Sequence, residues 1–185
     1  MTQQNIVDTQ GRRVSFVEEG EGPVSLVLVS ARDLDGDGLG VVAHYLAEEA
    51  GFHVIRVSLQ TEYAVAATDD LLALLDGLGL DDTWIGGHGF GGTVARAFAA
   101  AHTDRVNGLL LLGAEDDDTP LAPAIPVLIV QGSEDTVTPP ANGERLQATA
   151  PERASVKSLE GADHFFPVTH PIETAVIIEE YLDWD

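Results

Sequence analysis

The chain has 185 residues, 44% of them hydrophobic, which suffices for one buried core and is too few for two ordinary domains, so we predict a single domain over residues 1–185. Its formal charge of −22, with Lys157 as the single lysine, repels the phosphates of nucleic acids and anionic lipids and argues against both as partners. The absence of cysteine excludes a disulfide framework and a thiolate metal site.

The polar N-terminal stretch lacks the apolar segment of a signal peptide, and no later run reaches the roughly 18 apolar residues of a membrane span. We therefore expect a soluble, cytoplasmic protein that does not bind membranes. The acidic surface is interpreted as a means of solubility, including adaptation to high salt, with an acidic partner-binding face as the alternative. The sequence carries no signal for an oligomeric state.

Apolar runs of strand length alternate with amphipathic stretches of helix length, which is the pattern of an α/β fold with a mostly parallel sheet. The opening differs, because short strands at residues 5–8 and 13–18 flank Thr9-Gln10-Gly11 and predict an antiparallel hairpin. The chain then predicts strands at residues 24–30, 53–57 and 83–87, and helices at about residues 39–50, 64–76 and 91–101.

The second half of the chain continues this alternation. It predicts strands at residues 106–112, 127–131 and 154–159, and a closing helix at residues 171–182 whose Ala175, Ile178 and Leu182 face the sheet. Another helix is predicted after Thr138-Pro139, where threonine suits the cap and proline the first turn. The fold class is therefore α/β, with a mostly parallel central sheet and helices on both faces.

Glycines crowd the turn between the strand at residues 83–87 and the next helix, in the order Gly87-His88-Gly89-Phe90-Gly91-Gly92. A sharp strand–turn–helix elbow forces its central residue towards positive φ and brings the flanking backbones into contact. It therefore requires small residues two before, two after and three after the centre. Gly87, Gly91 and Gly92 meet this requirement around Gly89, and the neighbouring His88 is expected to be a packed, hydrogen-bonded residue.

Residues 70–92 resemble the helix, strand and nucleophile elbow of the α/β-hydrolase family, in which a serine would stand at Gly89. Residues 126–135 are similar to the strand and turn that deliver the family's catalytic acid, which the resemblance places on Asp135. Residues 159–165 are similar to the loop that delivers the base, which it places on His164. The order of nucleophile, acid and base is that of the family. The resemblance also implies an esterase-like activity that needs no cofactor or metal.

The chain departs from the family pattern at three further places. Only residues 113–126 separate two predicted strands where many members insert a helical lid, so we expect an open, lidless site. The strand at residues 24–30 ends in Ser30-Ala31-Arg32 rather than in the His-Gly of the family's oxyanion loop, and residues 58–62 lack the usual Asp and glycines. Changes in several motifs favour a lineage with altered chemistry over an isolated Ser-to-Gly replacement.

The resemblance nevertheless leaves possible binding groups around Gly89. The N–H of Phe90, at the start of the following helix, and the cation of Arg32 are candidates to bind an oxyanion. Ser30, at the carboxyl end of its strand, is a further substrate-binding candidate and a weaker candidate for a replacement nucleophile, as is Ser133. For both serines, hydrogen bonding within a turn is the favoured interpretation.

Residues 33–38, Asp-Leu-Asp-Gly-Asp-Gly, match the opening of a calcium-binding loop. The match fails at the twelfth position, where His44 replaces the required glutamate, and a strand rather than a helix precedes the loop. We therefore interpret this segment as a solvated acidic loop and predict no metal site.

Two functional hypotheses follow from these residues. In the first, the protein acts on a small ester-like or carbonyl compound through a His164–Asp135 dyad, with His164 as base and Asp135 as its orienting acid. In the second, it is a catalytically inactive pseudo-hydrolase that binds a small ligand or a protein partner in the inherited pocket. The retained dyad favours the first hypothesis, and Gly89 together with the altered motifs favours the second.

Overall fold

The computed structural model describes residues 4–7, 13–30, 38–59 and 64–183. These residues form one eight-stranded sheet in the order β1-β2-β4-β3-β5-β6-β7-β8. The strands are β1 Gln4–Val7, β2 Arg13–Glu19, β3 Ser25–Ser30, β4 His53–Ser58, β5 Thr83–His88, β6 Val106–Leu112, β7 Val127–Gly132 and β8 Ala154–Leu159.

Helices follow β3, β4, β5, β7 and β8. They are α1 Gly40–Glu48, α2 Ala64–Gly77, α3 Phe90–Ala101, α4 Pro140–Ala148, the short α5 Phe166–Thr169 and α6 Pro171–Leu182. The predicted hairpin and the predicted strands and long helices are all present, within two or three residues of the expected ends. The sequence did not predict α5 or the 3₁₀ turn at Thr103–Arg105.

Only the β1–β2 edge of the sheet is antiparallel. β1 pairs antiparallel with β2 and β2 with β4, whereas all pairings from β4 to β8 are parallel. After β3 the chain passes to β4 on one side and then crosses to β5 on the other, so the winding reverses beside β3. The carboxyl ends of β3, β5, β7 and β8 consequently lie at one edge, where an open α/β sheet forms its binding crevice.

Helices cover both faces of the sheet, as predicted. On one face α2, α3 and α4 pack through side chains such as Leu74, Phe98 and Leu146. On the other face α1 and α6 pack through side chains such as Leu46 and Ile178. The predicted sheet-facing residues of α6 are buried, namely Ala175, Ile178 and Leu182. Two apolar layers therefore hold the sheet in a fixed position under the site.

The connection between β6 and β7 contains no lid. Residues 113–126 form neither helix nor strand. Arg96 of α3, which is only 2% exposed, donates to the backbone carbonyls of Glu115 and Asp117 at 3.4 and 3.1 Å and also to that of Thr119. The connection is thus held against α3.

Within the described ranges, no helix is both long enough and apolar enough to cross a bilayer.

The passage from β5 into α3 depends on close contact between backbones. A Cβ built on Gly87 would lie 2.4 Å from the carbonyl carbon of Gly91 and 2.7 Å from the nitrogen of Gly92. A Cβ on Gly92 would lie 3.0 Å from the carbonyl oxygen of Gly87. Since these neighbours are backbone atoms at the start of a helix, they cannot yield without moving α3, which explains the small residues predicted there.

We therefore expect Gly87→Ala to lower the free energy of unfolding by about 2–3 kcal/mol, the usual cost of overpacking a tightly packed site. The measurement is urea unfolding followed by circular dichroism. Gly40→Ala is the matched control, because its methyl group would meet a nitrogen of Arg56 at an ordinary 3.4 Å, and its stability should stay within about 1 kcal/mol of the native value. Equal midpoints for the two variants would contradict the close-contact argument.

Candidate active site

Gly89 occupies the centre of the turn between β5 and α3 with φ +56° and ψ −118°. This conformation is strained for residues with a side chain and free of strain for glycine. The Gly89 N–H donates to the Leu112 carbonyl at 2.9 Å, and its own carbonyl accepts from the Thr93 N–H at 3.2 Å. The elbow geometry predicted from the glycine spacing is thus present, with no side chain at its centre.

The predicted acid and base lie in contact. Asp135 follows β7 and His164 follows β8, two neighbouring parallel strands, and the Nδ1 of His164 lies 2.9 Å from the Oδ2 of Asp135. The Asp135 side chain is fully buried and the His164 side chain is 12% exposed. The structure therefore brings together two residues 29 positions apart in a geometry suited to holding an imidazole.

The Asp135 carboxylate is surrounded by donors. Its Oδ1 accepts from the backbone N–H groups of Val137 and Thr138 at 2.9 and 2.8 Å, and its Oδ2 accepts from the Thr138 hydroxyl at 2.7 Å. Burial raises the pKa of this carboxyl, but the bonds from Thr138 and His164 outweigh burial, so the net shift of the Asp135 pKa is downward. Asp135 is consequently held as an anion.

The hydrogen-bond network determines the tautomer of His164. A carboxylate only accepts hydrogen bonds, and the single proton of the Thr138 hydroxyl goes to Asp135. The ring nitrogen that faces both oxygens, Nδ1, must therefore carry the proton, which leaves the lone pair on Nε2. That nitrogen points towards the elbow, since a Cβ built on Gly89 would lie 3.6 Å from Nε2 and 3.7 Å from Cε1 of His164.

Thr138 was expected to cap the following helix, and this expectation is wrong. Helix α4 begins at Pro140 after Pro139, and no side chain caps it. The Thr138 hydroxyl instead lies 2.7 Å from the Oδ2 of Asp135 and 3.0 Å from the Nδ1 of His164. The hydroxyl donates to the buried carboxylate three residues upstream, because a charged oxygen is a strong acceptor. It does not accept from an N–H at the start of α4 as a helix cap would.

Two further residues support this arrangement, and neither was predicted from the sequence. Gly113 packs directly on it, because a Cβ there would lie 2.8 Å from the Thr138 hydroxyl. Buried Gln131 accepts from the Ala114 N–H at 2.8 Å and donates to the Thr138 carbonyl at 3.1 Å. The glutamine therefore links the end of β6 to the turn that carries Asp135.

His88 supports the loop of the base from beneath. It is 2% exposed, and its Nε2 donates to the backbone carbonyl of His164 at 2.7 Å. The two imidazole rings pack with centroids 4.3 Å apart and a tilt of 35°, and the rings of His88 and Phe166 lie nearly perpendicular with centroids 5.9 Å apart. These contacts match the packed, hydrogen-bonded role expected of His88.

Of the predicted binding groups, the structure describes Phe90, Ser30 and Ser133. Phe90 begins α3 immediately after the elbow, and Ser30 ends β3 with its side chain buried. Ser133 bonds the neighbouring loop, its hydroxyl accepting from the Gly161 N–H at 2.7 Å, as expected of a turn serine. Arg32 and residues 33–37 of the calcium-like motif lie outside the described residues, as does the turn Thr9–Gly11.

Across residues 4–7, 13–30, 38–59 and 64–183, no three His, Asp or Glu side chains come close enough together to hold a metal ion.

An acidic groove lies beside the turn that carries Thr138. This groove of about 450 Å³ is bordered by Thr138 and Val137 and by the Arg96-held connection, with acidic side chains Glu115, Asp116 and Asp117 along it. Thr93 donates to the Glu115 carboxylate at 2.5 Å, so one of these acids is fixed. The groove therefore lies on the side of Thr138 that the β6–β7 connection borders.

The sequence matches a known protein family. The sequence model described as "Alpha/beta hydrolase family" matches residues 25–166, most of the chain. The chain belongs to the α/β-hydrolase family. The comparison with curated proteins gives no match.

Solved structures agree with this assignment at the level of fold. A thermophilic esterase from Thermogutta terrifontis, solved with malate bound, superimposes on this α/β-hydrolase with a TM-score of 0.86 at 20% identity, covering 99% of this chain and 98% of that one. A bromoperoxidase from Bacillus anthracis gives a TM-score of 0.83 at 17% identity, covering 98% and 100%. At such identities the likeness establishes a shared fold and leaves the reaction to the site itself.

The lowered pKa of Asp135 predicts a pH-dependent contribution to stability. Because the folded-state pKa lies below the unfolded value of about 4, the unfolded chain takes up the proton first, so this contribution is complete above about pH 5 and is lost as the pH falls through the folded pKa. Asp135→Asn should therefore cost about 3 kcal/mol at pH 7 and progressively less below pH 4.

The measurement is urea unfolding of native protein and variant at several pH values between 3 and 7. Asp118→Asn, which alters an exposed carboxyl in the β6–β7 connection, is the control and should follow the native pH dependence. A difference between native protein and Asp135→Asn that stays constant over this range would show that the Asp135 charge is not stabilised by folding.

Proposed function

We propose that this α/β-hydrolase hydrolyses a small ester-like or carbonyl-containing compound by general-base catalysis, with His164 activating a water molecule in place of a serine. The observation that carries the proposal is the orientation of His164. Its Nδ1 proton is engaged by Asp135 and Thr138, while Nε2 faces the side-chain-free position of Gly89. A basic nitrogen is thus directed at the place where the family carries its nucleophile.

The proposed reaction begins when water near Gly89 attacks the carbonyl carbon of the substrate. Nε2 of His164 takes a proton from the water as the new C–O bond forms, and the carbonyl electron pair moves to its oxygen. Asp135 stabilises the resulting imidazolium without accepting its proton. Collapse of the tetrahedral intermediate expels the leaving group, which takes the proton from Nε2.

The negative oxygen formed in this reaction needs a donor near the elbow. Phe90 is the first residue of the twelve-residue helix α3, whose N-terminal dipole favours negative charge at this end. We assign Phe90 N–H as the principal oxyanion donor and Arg32 as a cationic one, and we place Ser30 among the substrate-binding groups. The open connection at residues 113–126 supports small substrates, because no lid encloses a long acyl chain.

The proposed reaction uses no cofactor, and the binding partner is its small-molecule substrate. The charge of −22 supports exclusion of nucleic acids and anionic membranes as partners. Because covalent catalysis is missing, we expect only the residual acceleration of about 10³ to 10⁴ over water that remains in triad enzymes without their nucleophile.

Removing the base should abolish this activity. His164→Ala is expected to lower kcat/KM for p-nitrophenyl acetate hydrolysis by about 10² or more, the usual contribution of a positioned base. The measurement is release of p-nitrophenol, corrected for the rate in buffer. His170→Ala removes an imidazole outside the site, where it bonds only Thr169 among the side chains described, and should hydrolyse at the native rate.

A second candidate function, the binding of a ligand without turnover, is favoured by Gly89 itself. It predicts the opposite result, namely equal rates for native protein and His164→Ala. In that event saturable ligand binding without turnover would be the remaining activity of the pocket.

Restoring the nucleophile provides the complementary test. A Cβ at Gly89 would make only van der Waals contact with the His164 ring, so Gly89→Ser should fit, at a cost of about 1–3 kcal/mol of stability for a side chain at positive φ. We expect Gly89→Ser to increase ester hydrolysis by 10² or more and to react with a fluorophosphonate probe. The double variant with His164→Ala should lose both properties.

A folded Gly89→Ser protein without this gain would show that the oxyanion site is not functional. Strong labelling of the native protein by the same probe would contradict the proposal differently, by revealing another activated serine.

A further inference from the structure

Thr138 makes polar contacts with both members of the dyad. The residue is 3% exposed, and each of its polar atoms is engaged. Its N–H donates to the Oδ1 of Asp135, its carbonyl accepts from Gln131, and its hydroxyl lies between Asp135 and His164. The side chain and the backbone are therefore fixed separately.

The hydroxyl closes a triangle of heavy atoms with the acid and the base. Its distances are 2.7 Å from Thr138 Oγ1 to Asp135 Oδ2, 3.0 Å from Oγ1 to His164 Nδ1, and 2.9 Å from Nδ1 to Oδ2. Since the hydroxyl proton goes to the carboxylate, its lone pairs face the imidazole, and the Nδ1 proton is shared between two acceptors. Rotation of the imidazole about its long axis would break both of these contacts.

Gly113 leaves space for the hydroxyl. A Cβ at this position would lie 2.8 Å from Thr138 Oγ1, 3.5 Å from Asp135 Oδ2 and 3.5 Å from His164 Cε1, so a side chain here would press on the triangle from the β6 side. The residue has φ +66°, a conformation that favours glycine. The triangle is thus enclosed between the ends of β6, β7 and β8.

We propose that Thr138 is a positioning residue of the dyad, which holds His164 in the Nδ1-protonated tautomer with Nε2 directed at Gly89. The proposal deepens the proposed function and rests on it for any effect on turnover, but its structural content is measurable without a substrate. Thr138 acts through His164 and is not itself a reacting group, because its hydroxyl faces Nδ1 rather than Nε2.

The test compares three variants by ¹H–¹⁵N NMR of the imidazole groups. Thr138→Val removes the hydroxyl at nearly equal volume, and Thr138→Ser retains it. Thr149→Val removes a hydroxyl just after α4 that donates to the Leu146 carbonyl at 2.7 Å. In the native protein we expect a downfield Nδ1–H signal of His164 that exchanges slowly with water. Thr138→Val should increase the exchange rate at least tenfold, whereas Thr138→Ser and Thr149→Val should preserve the native rate.

A Thr138→Val protein with the native Nδ1–H signal and exchange rate would overturn the proposal. If Thr138→Val does not fold, Gly113→Ala replaces it, because the added methyl group would displace the Thr138 hydroxyl; unchanged exchange in that folded variant would equally overturn the proposal. Turnover supplies the second readout. Thr138→Val should lower kcat for p-nitrophenyl acetate about tenfold or more with little change in KM, and Thr138→Ser should recover most of the loss.

The two proposals fail in different ways. Faster exchange in Thr138→Val together with no turnover by the native protein would reject general-base hydrolysis and leave the positioning role standing. Unchanged exchange would reject the positioning role, whatever the rate of hydrolysis.

Discussion

The hydrogen bonds to the buried carboxylate of Asp135 organise the edge of the sheet at which the parallel strands end. A charge taken out of water needs a donor for each of its lone pairs, and here the donors come from its own turn and from the loop after β8. Gln131 joins the same turn to the end of β6. Hydrogen bonds to the turn that carries Asp135 therefore hold together three connections that are distant in sequence.

The β-sheet makes this arrangement possible, since parallel strands deliver successive loops to the same edge. β5, β6, β7 and β8 are adjacent in that order, so the elbow, the lidless connection, the acid and the base lie side by side. The apolar layers on both faces then fix the strand ends to which these loops are attached. The chemistry of the site is consequently a property of strand order as much as of the individual side chains.

Much of this could be predicted from the sequence, for identifiable reasons. Apolar runs such as residues 127–130 are buried and have the length of a strand, and the glycines around position 89 are explained by contacts that exclude a Cβ. Asp135 and His164 could be placed because residues 126–135 and 159–165 resemble the segments that carry the acid and the base in the α/β-hydrolase family, and the structure brings the two side chains within 2.9 Å of each other.

Thr138 could not be placed in the same way, because a threonine before prolines at the start of a helix fits a local rule for capping equally well. The choice between the two roles depends on a histidine 26 residues away. Gly113 and Gln131 were missed for related reasons, since a glycine after a strand resembles any turn and a glutamine within a strand resembles an exposed polar residue.

The positive φ of Gly89 has a consequence for protein engineering. The sharp bend is imposed by the close approach of β5 and α3, so the backbone presents position 89 towards the His164 ring whatever side chain stands there. With glycine, the bend is maintained without the steric strain that a catalytic side chain would impose. In this α/β-hydrolase the backbone bend that presents a nucleophile does not depend on the side chain at position 89. A thiol, hydroxyl or carboxylate introduced at this single position would meet the same base from the same direction.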